Sequence, residues 1–383
     1  MKIGIDIRLI GKNQTGSEVY FFNLVKNLAV IDKDNEYHLF TDRDPASDKQ
    51  LAGELEKLSL GNNFRVEFVG NKDKFSWNLW QLPMHLKKNP VDVYHTQYIT
   101  PFWLPRKTKL VTTIHDISFN YFPEFIKKLD LFFLKTFIPR SIRRADRVIA
   151  VSEYSRKDII KYYQAPEEKV ASICNGIDFD SYSANFSNQE KEEVKNKYKL
   201  PEKFLLYLGT LQPRKNIPAL IEAYRILLGK YGHRELKLVI AGDKNAHNFD
   251  RKIDDLVGKM ELQDDIIFPG WIEEPDKPIL YKLADCFVFP SLYEGFGFPI
   301  LEAMASGTPI VSSNETSLPE IGKNGALFCD PQNYEQFAEN IDQVLRDTKA
   351  RSVLIEKGLA VSQQFSWQTT ARKTLEIYLS LNK

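Results

Sequence analysis

Short apolar runs rich in valine, isoleucine and aromatic residues recur along this chain, each followed by a longer segment whose apolar residues repeat at helical spacing. In the first half the runs are KIGIDIR, EYHLFTD, RVEFVG, VDVYHTQ, KLVTTIHD, RVIAVS and KVASIC. In the second half they are FLLYLGT, LKLVIAGD, DIIFPG, CFVFPS and TPIVSS. Strands that alternate with helices pair in parallel, because a parallel connection needs a crossover long enough to hold a helix. The class is therefore α/β. Two such series, in a chain of 383 residues that exceeds one ordinary core, imply two doubly wound Rossmann-like domains. Between the series lies DFDSYSANFSNQEKEEVKNKYKLPEK, polar and nearly free of aliphatic residues until its end, which puts the boundary near residue 180: a first domain over 1–180 and a second over 181–365. The final segment, SWQTTARKTLEIYLSL, sets Trp367, Ala371, Leu375, Tyr378 and Leu379 at helical spacing and is too apolar to be a free tail.

Composition closes several alternatives. A formal net charge of +1 argues against bulk attraction to nucleic acid. Cys174, Cys286 and Cys329 are far apart and lack metal-binding spacing, as expected of buried thiols in a reducing compartment. The opening MKIGIDIRLIG places Asp6 and Arg8 where a signal peptide needs an apolar run, and no uncharged stretch approaches the ~20 residues that cross a bilayer. The expected location is cytoplasmic. The chain has no GxxxxGK[ST], GxGxxG, HExxH or GxSxG pattern, and the triplets DKD, DRD and DFD read as chance in an aspartate-containing chain, so no metal is expected.

Open α/β sheets bind ligands beyond the carboxyl ends of their strands, and the unusual residues of this sequence fall there. In YLGTLQPRKN, an apolar strand ends at Gly209, and Arg214 and Lys215 follow just before a helix. Glycine admits a close ligand, and an Arg-Lys pair offers a forked donor and a point charge suited to a diphosphate. A solvated basic pair is the plain alternative, although cations at a helix N-terminus oppose its dipole. In YEGFGFPILEAMASGTPIV, Pro299 suits a helix start, so the amides of Gly297 and Phe298 face the positive end where phosphate binds. Glu294 lies in the preceding loop. Glu302 lies a turn into the helix, where an acid either favours the dipole or accepts hydrogen bonds from ribose. In TIHDISF, His115 and Asp116 follow a first-domain strand, a position that suits a structural hydrogen-bonder or a catalyst. Gly16, in NQTGSEVY, precedes a helix and either admits substrate oxygens or makes a plain turn. Between 125 and 147, lysines and arginines alternate with phenylalanine, leucine and isoleucine: a partly buried helix, or a contact with an anionic membrane surface that would place the protein peripherally at its inner face.

The segments GTLQPRKNI, FVFPSLYEGFGFPILEAMASGTPIVSSN and SLPEIGKNGALFCDP, with MKIGIDIRLIG, TIHDISF and RVIAVSEYSRKDI in the first half, resemble those of retaining glycosyltransferases of family 4, which have the two-Rossmann (GT-B) architecture and include many mannosyltransferases of bacterial surface polysaccharides. The resemblance spans nearly the whole chain and is most specific at Glu294 and Glu302 around GFGFP. It implies two domains facing across a cleft that closes on a nucleotide-sugar donor, with the donor held mainly by the second domain and a glycan or polyprenyl-linked acceptor mainly by the first. The C-terminal helix, 366–383, would cross back onto the first domain. Arg214 and Lys215 match the diphosphate-binding pair, Glu302 the ribose-binding acid, Glu294 the acid near the transferred sugar, and His115 the first-domain histidine beside it. The resemblance implies no cofactor and no divalent cation. It favours GDP-mannose as donor; a UDP-sugar donor, or a sugar-nucleotide epimerase of the same fold, are the alternatives. One departure stands at Glu18, where the family often has a second glycine: a carboxylate there repels phosphate and would instead bind an acceptor hydroxyl.

Overall fold

β1 (Lys2–Asp6) is buried from Ile3 onward and sits mid-sheet: β2 (Glu36–Thr41) pairs on one side, Ile3 opposite Tyr37, and β4 (Val93–Gln97) on the other, Ile3 opposite Val93. With β3 (Phe64–Phe68), β5 (Lys109–Ile114), β6 (Arg147–Ala150) and β7 (Val170–Ser172), this parallel sheet has the order β3-β2-β1-β4-β5-β6-β7. A second parallel sheet is built from β8 (Phe204–Leu208), β9 (Lys237–Ala241), β10 (Ile266–Ile267), β11 (Cys286–Phe289), β12 (Ile310–Ser313) and β13 (Leu327–Cys329), in the order β10-β9-β8-β11-β12-β13. This computed structural model describes residues 1–12, 16–70, 76–246 and 248–382.

Each expected strand forms. β13 is additional: at three residues on a sheet edge it falls below the four to eight residues over which an apolar run signals a strand. In both sheets the connections reverse direction once, between β1 and β4 and between β8 and β11. At such a switch point adjacent loops leave in opposite directions and open a crevice at the strand ends. Chain contacts divide the molecule into two units. One holds Met1–Asn120, Lys128–Gly176 and Ser366–Lys383; the other holds Tyr121–Lys127 and Ile177–Phe365.

The C-terminal helix, Trp367–Ser380, packs in the first unit against the helix Gly16–Ile31. Its approach requires a glycine, because a Cβ on Gly176 would stand 2.1 Å from the backbone nitrogen of Trp367. Ser366 caps its start by accepting from the Thr369 amide, and the Thr370 hydroxyl donates to the Cys174 carbonyl at 2.7 Å. Farther along, the Tyr378 hydroxyl lies 2.5 Å from Nδ1 of the fully buried His95, whose Nε2 lies 2.8 Å from Thr113 Oγ1. Thr113 in turn donates to the Tyr20 hydroxyl at 3.1 Å, so Thr113 accepts from His95 and His95 from Tyr378. Burial lowers the His95 pKa to about 3 and keeps the ring neutral. Of the thiols, Cys286 and Cys329 are buried and Cys174 is half-buried; none is in a disulfide.

Candidate functional site

In the second unit the switch point is occupied. The loop after β8 turns through a short 3₁₀ segment, Pro213–Lys215, before the helix Ile217–Tyr231, and the loop after β11 runs over 290–297. Backbone bonds join the two: the Leu292 amide donates to the Arg214 carbonyl at 2.9 Å. Asn216, left-handed at φ 56°, donates its side-chain amide to the carbonyls of Pro290 and Pro331. These bonds bring Lys215 Nζ to 2.5 Å from Glu294 Oε1, and Arg214 Nη1 to 3.4 Å from Glu294 Oε2 and 2.7 Å from the Tyr293 carbonyl. Lys215 is 7% exposed and Glu294 8%. Burial alone would push the Glu294 carboxyl up, but Lys215 and Arg214, with hydrogen bonds from Lys215 and Ser291, hold it below the ordinary carboxylate range. The glutamate is therefore an anion between two cations, a cluster of one net positive charge. Arg214 is the more reachable cation, its side chain 21% exposed against 8% for Lys215.

Hydroxyl residues that the sequence reading did not single out hold this loop. Ser291 donates to Glu294 Oε1 at 2.7 Å; Thr316 accepts from the Glu294 amide at 2.9 Å; Ser317 donates to the carbonyls of Glu294 and Phe296. The signal for Thr316 and Ser317 is the run SSNETS, 312–317, which begins at the end of β12 and which composition alone does not separate from an ordinary turn.

Gly297 caps the helix Phe298–Ala305 at φ 100°, where a Cβ would meet Leu318 Cδ2 at 2.8 Å, so both the angle and the space favour glycine. Phe298 opens that helix, half-buried against the ring of Phe296. Gly209 follows β8, its amide donating to the Ala241 carbonyl at 3.0 Å. Glu302 departs from the cluster. It accepts from the Tyr281 hydroxyl at 2.9 Å, near Tyr182 and Lys277, and none of its described hydrogen bonds reaches Arg214, Lys215 or Glu294. Burial pushes its carboxyl above the ordinary range, helped by Glu274 and only partly offset by Lys277 and the tyrosine hydroxyls.

In the first unit His115 follows β5 directly. Its Nε2–H donates to Gln97 Oε1 at 2.7 Å, and its ring packs edge-on to Tyr20 with centroids 5.2 Å apart. Burial lowers its pKa to about 4, against a weak opposing pull from Asp116, so it is neutral at neutral pH with its lone pair on Nδ1. Gln97, which fixes that tautomer, ends a strand run and carried no signal of its own. Asp116 accepts from the amide and hydroxyl of Ser118, the first residue of a 3₁₀ turn. Glu18, buried in the first turn of the helix Gly16–Ile31, accepts from the Gly11 amide and ties down the loop after β1. Gly16 begins that helix, exposed; residues 13–15 of the NQTGSEVY segment lie outside the described residues. The β1/β4 switch point of the first unit holds a pair not foreseen, buried Asp6 with partly buried Arg8, bonded at 2.7 Å and backed by the Thr96 hydroxyl, with the guanidinium 4.6 Å from the Trp77 ring centroid. Among the described residues no group of three or more His, Cys, Asp or Glu is placed to hold a metal ion. The DRD triplet does follow β2, where Asp42 pairs with Lys12 and Arg43 with Asp48.

Residues 14–181 match the glycosyltransferase family 4 profile, and residues 188–360 match that of glycosyl transferases group 1. The chain is similar along its length to O-antigen chain mannosyltransferase B of Escherichia coli: 35% identical over 390 residues, covering 95% of this chain and 96% of the relative. The chain belongs to glycosyltransferase family 4. It is an enzyme, a hexosyltransferase. O-antigen chain mannosyltransferase RfbU of Salmonella typhimurium is 29% identical over 89% of this chain and 91% of its own. Among solved structures, a glycosyltransferase from Rickettsia africae superposes with TM-score 0.75 at 22% identity, over 100% of this chain and 98% of that one. The sucrose-phosphate synthase of Thermosynechococcus elongatus superposes with TM-score 0.77 at 19%, over 100% and 99%. These likenesses establish the two-Rossmann fold of the glycosyltransferase. No helix among its described residues is long and apolar enough to cross a membrane.

Proposed function

We propose that this glycosyltransferase moves mannose, with retention of anomeric configuration, from GDP-mannose to a glycan or lipid-linked acceptor in surface-polysaccharide synthesis. Its relatives named as O-antigen mannosyltransferases support the sugar and the acceptor class. The observation that carries the reaction is the buried Arg214–Lys215–Glu294 cluster at the β8/β11 switch point. When the anomeric carbon–oxygen bond breaks, its electron pair goes to the departing diphosphate. Arg214, the more exposed cation, meets that growing charge, and Lys215 adds its field from within while keeping Glu294 ionised. Groups fixed in advance against developing charge lower the barrier rather than merely tighten binding. The acceptor oxygen bonds to the anomeric carbon on the face the diphosphate leaves, and its proton passes to a phosphate oxygen. Glu294, an anion, steadies the positive charge on the sugar.

Gly297, Phe298 and Gly209 line the approach of the nucleotide diphosphate, and Glu302 accepts from a ribose hydroxyl. His115, neutral with a lone pair on Nδ1, is suited to accept a hydrogen bond from a sugar hydroxyl rather than to donate a proton. Glu18 and Asp116 are assigned to the acceptor side, each already engaged with backbone, and Gly16 with them. Two cations of the protein replace a divalent ion, so transfer is metal-independent.

Thermal-shift titration with GDP-mannose, UDP-glucose and other nucleotide sugars, followed by product analysis with and without acceptor, tests the reading. GDP-mannose should stabilise the protein most, and nucleotide release should require acceptor. Preference for a UDP sugar removes the donor assignment; conversion of the donor sugar without acceptor makes the protein an epimerase.

A further inference from the structure

The pair at the end of β1 is built to hold one side chain still. The Asp6 carboxylate accepts from the Arg8 amide at 3.1 Å, from Arg8 Nε at 3.0 Å and Nη2 at 2.7 Å, from the Thr96 hydroxyl at 2.9 Å and from the Tyr94 hydroxyl at 3.4 Å. These bonds fix the guanidinium side-on to the carboxylate and leave Asp6 little capacity for a ligand. The Trp77 ring lies over the guanidinium and is itself fully buried, so it backs Arg8 rather than offering a surface of its own. Arg8 Nη1 makes no hydrogen bond among the described residues, and the side chain is 15% exposed. Burying an ion pair seldom stabilises a fold more than apolar packing would, because desolvation offsets the attraction. A pair serving stability alone has no use for an open edge. Here that edge, Nη1 with Nη2, is held in advance at the carboxyl end of β1, where the loops after β1 and β4 part.

The charge of the surrounding loop decides what that edge can take. Arg8 is matched by Asp6, Lys12 by Asp42 at 3.0 Å and Arg43 by Asp48 at 2.9 Å. Arg43 also donates to the carbonyls of Ile10 and Gly11, while the Glu18 carboxylate accepts from the Gly11 amide. Three cations therefore stand with four carboxylates, whereas the cluster of the second unit has one net positive charge. Among the described residues a phosphate-bearing ligand finds no surplus of positive charge at this loop. An uncharged sugar needs none: the planar guanidinium presents parallel donors to two neighbouring oxygens, the arrangement of adjacent hydroxyls on a sugar ring. We infer that Arg8 is a binding residue for the acceptor, its Nη1–Nη2 edge donating to adjacent hydroxyls of an uncharged terminal sugar, with the diphosphate of any lipid carrier outside this site. The inference rests on the proposed reading that the first unit holds the acceptor, and it adds the residue that recognises that acceptor and the chemistry it recognises.

The test measures transfer by the full chain to the octyl glycosides of mannose, glucose, galactose and N-acetylglucosamine, and to the same sugars on a polyprenyl diphosphate. The donor is the nucleotide sugar that the thermal titration selects, so a wrong donor assignment does not change the outcome. The wild type should use the best octyl glycoside and its diphosphate counterpart with kcat/KM within about threefold of one another. Arg8→Met should raise the acceptor KM about ten- to a hundred-fold, as expected for losing hydrogen bonds from a charged donor, with far less change in kcat and with the donor's thermal shift retained. Arg8→Lys keeps the charge beside Asp6 but loses the fork, and should raise the acceptor KM as well. Because it preserves the ion pair, it decides the matter if the methionine variant does not fold. Transfer that requires the diphosphate would overturn the uncharged-sugar assignment, and an Arg8→Lys protein with the wild-type acceptor KM would overturn the assignment of Arg8. A fall in kcat and in donor binding at an unchanged acceptor KM would make the pair a structural strut and overturn it too.

Discussion

Replacing Lys215 with methionine takes one charge from a pair that solvent barely reaches: Nζ lies 2.5 Å from Glu294 Oε1, and the two residues are 7% and 8% exposed. Breaking a buried pair from one side costs about 3–5 kcal/mol, because the remaining charge is left without its partner. Here Arg214 stays at 3.4 Å and Ser291 still donates at 2.7 Å, so about 3 kcal/mol is expected. Glu294→Gln should cost a similar amount by leaving Lys215 and Arg214 facing one another. The double variant Lys215→Met/Glu294→Gln has no such stranded buried charge. With a coupling of about 2–3 kcal/mol, it should lose about 3–4 kcal/mol rather than the sum of about 6. Urea denaturation followed by circular dichroism measures all three. Transfer is the second readout: each single variant should fall a hundred- to a thousand-fold, the loss of about 2.7–4 kcal/mol typical of removing one group aimed at transition-state charge. The double variant should be about as stable as either single variant, without recovering transfer. Additivity within about 0.5 kcal/mol would refute the coupling, and a double variant that regains transfer would show the pair to be a structural strut only.

Arg214→Ala should cut transfer at least about a hundred-fold while leaving the fold intact, checked by rate measurement and circular dichroism together. His95 and His115 bind protons in the unfolded chain near pH 6.5 but in the folded one only near 3 and 4, so the stability they contribute is present above about pH 6.5 and is lost as pH falls through those values. Each contributes a slope of about 1.4 kcal/mol per pH unit below pH 6.5, and His115→Asn should remove one such contribution from denaturation curves collected at pH 4.5–6.5. Gly297→Ala should cost about 1–3 kcal/mol from its left-handed angle and its approach to Leu318. Gly229→Ala, on an exposed helix position with nothing within 4 Å, should instead stabilise by about 0.5–1 kcal/mol. Transfer should survive EDTA; its abolition, with rescue by added magnesium or manganese, would contradict the role given to Arg214 and Lys215.

The sequence by itself determined the two parallel sheets, because strand and helix periods are local and twelve of the strands announce themselves as apolar runs. It also pointed to the loops that follow strands, where ligands of open α/β sheets bind and where Gly209, Arg214, Lys215, Glu294 and His115 stand. What it left open was decided by contacts between residues far apart in the chain. Arg214 and Lys215 are separated from Glu294 by some eighty positions, and only the β8–β11 pairing makes them one buried cluster. The sequence set Glu294 in a loop and Glu302 on the following helix with separate roles, and only the fold shows that Glu294 is enclosed by Arg214 and Lys215 while Glu302 bonds Tyr281. Gln97 beside His115, Ser291 beside Glu294 and the Asp6–Arg8 pair carried no local signal, since a polar residue at a strand end looks the same whether it bonds a neighbour or water. Burial, which makes those groups perturb one another, exists only once the chain has folded.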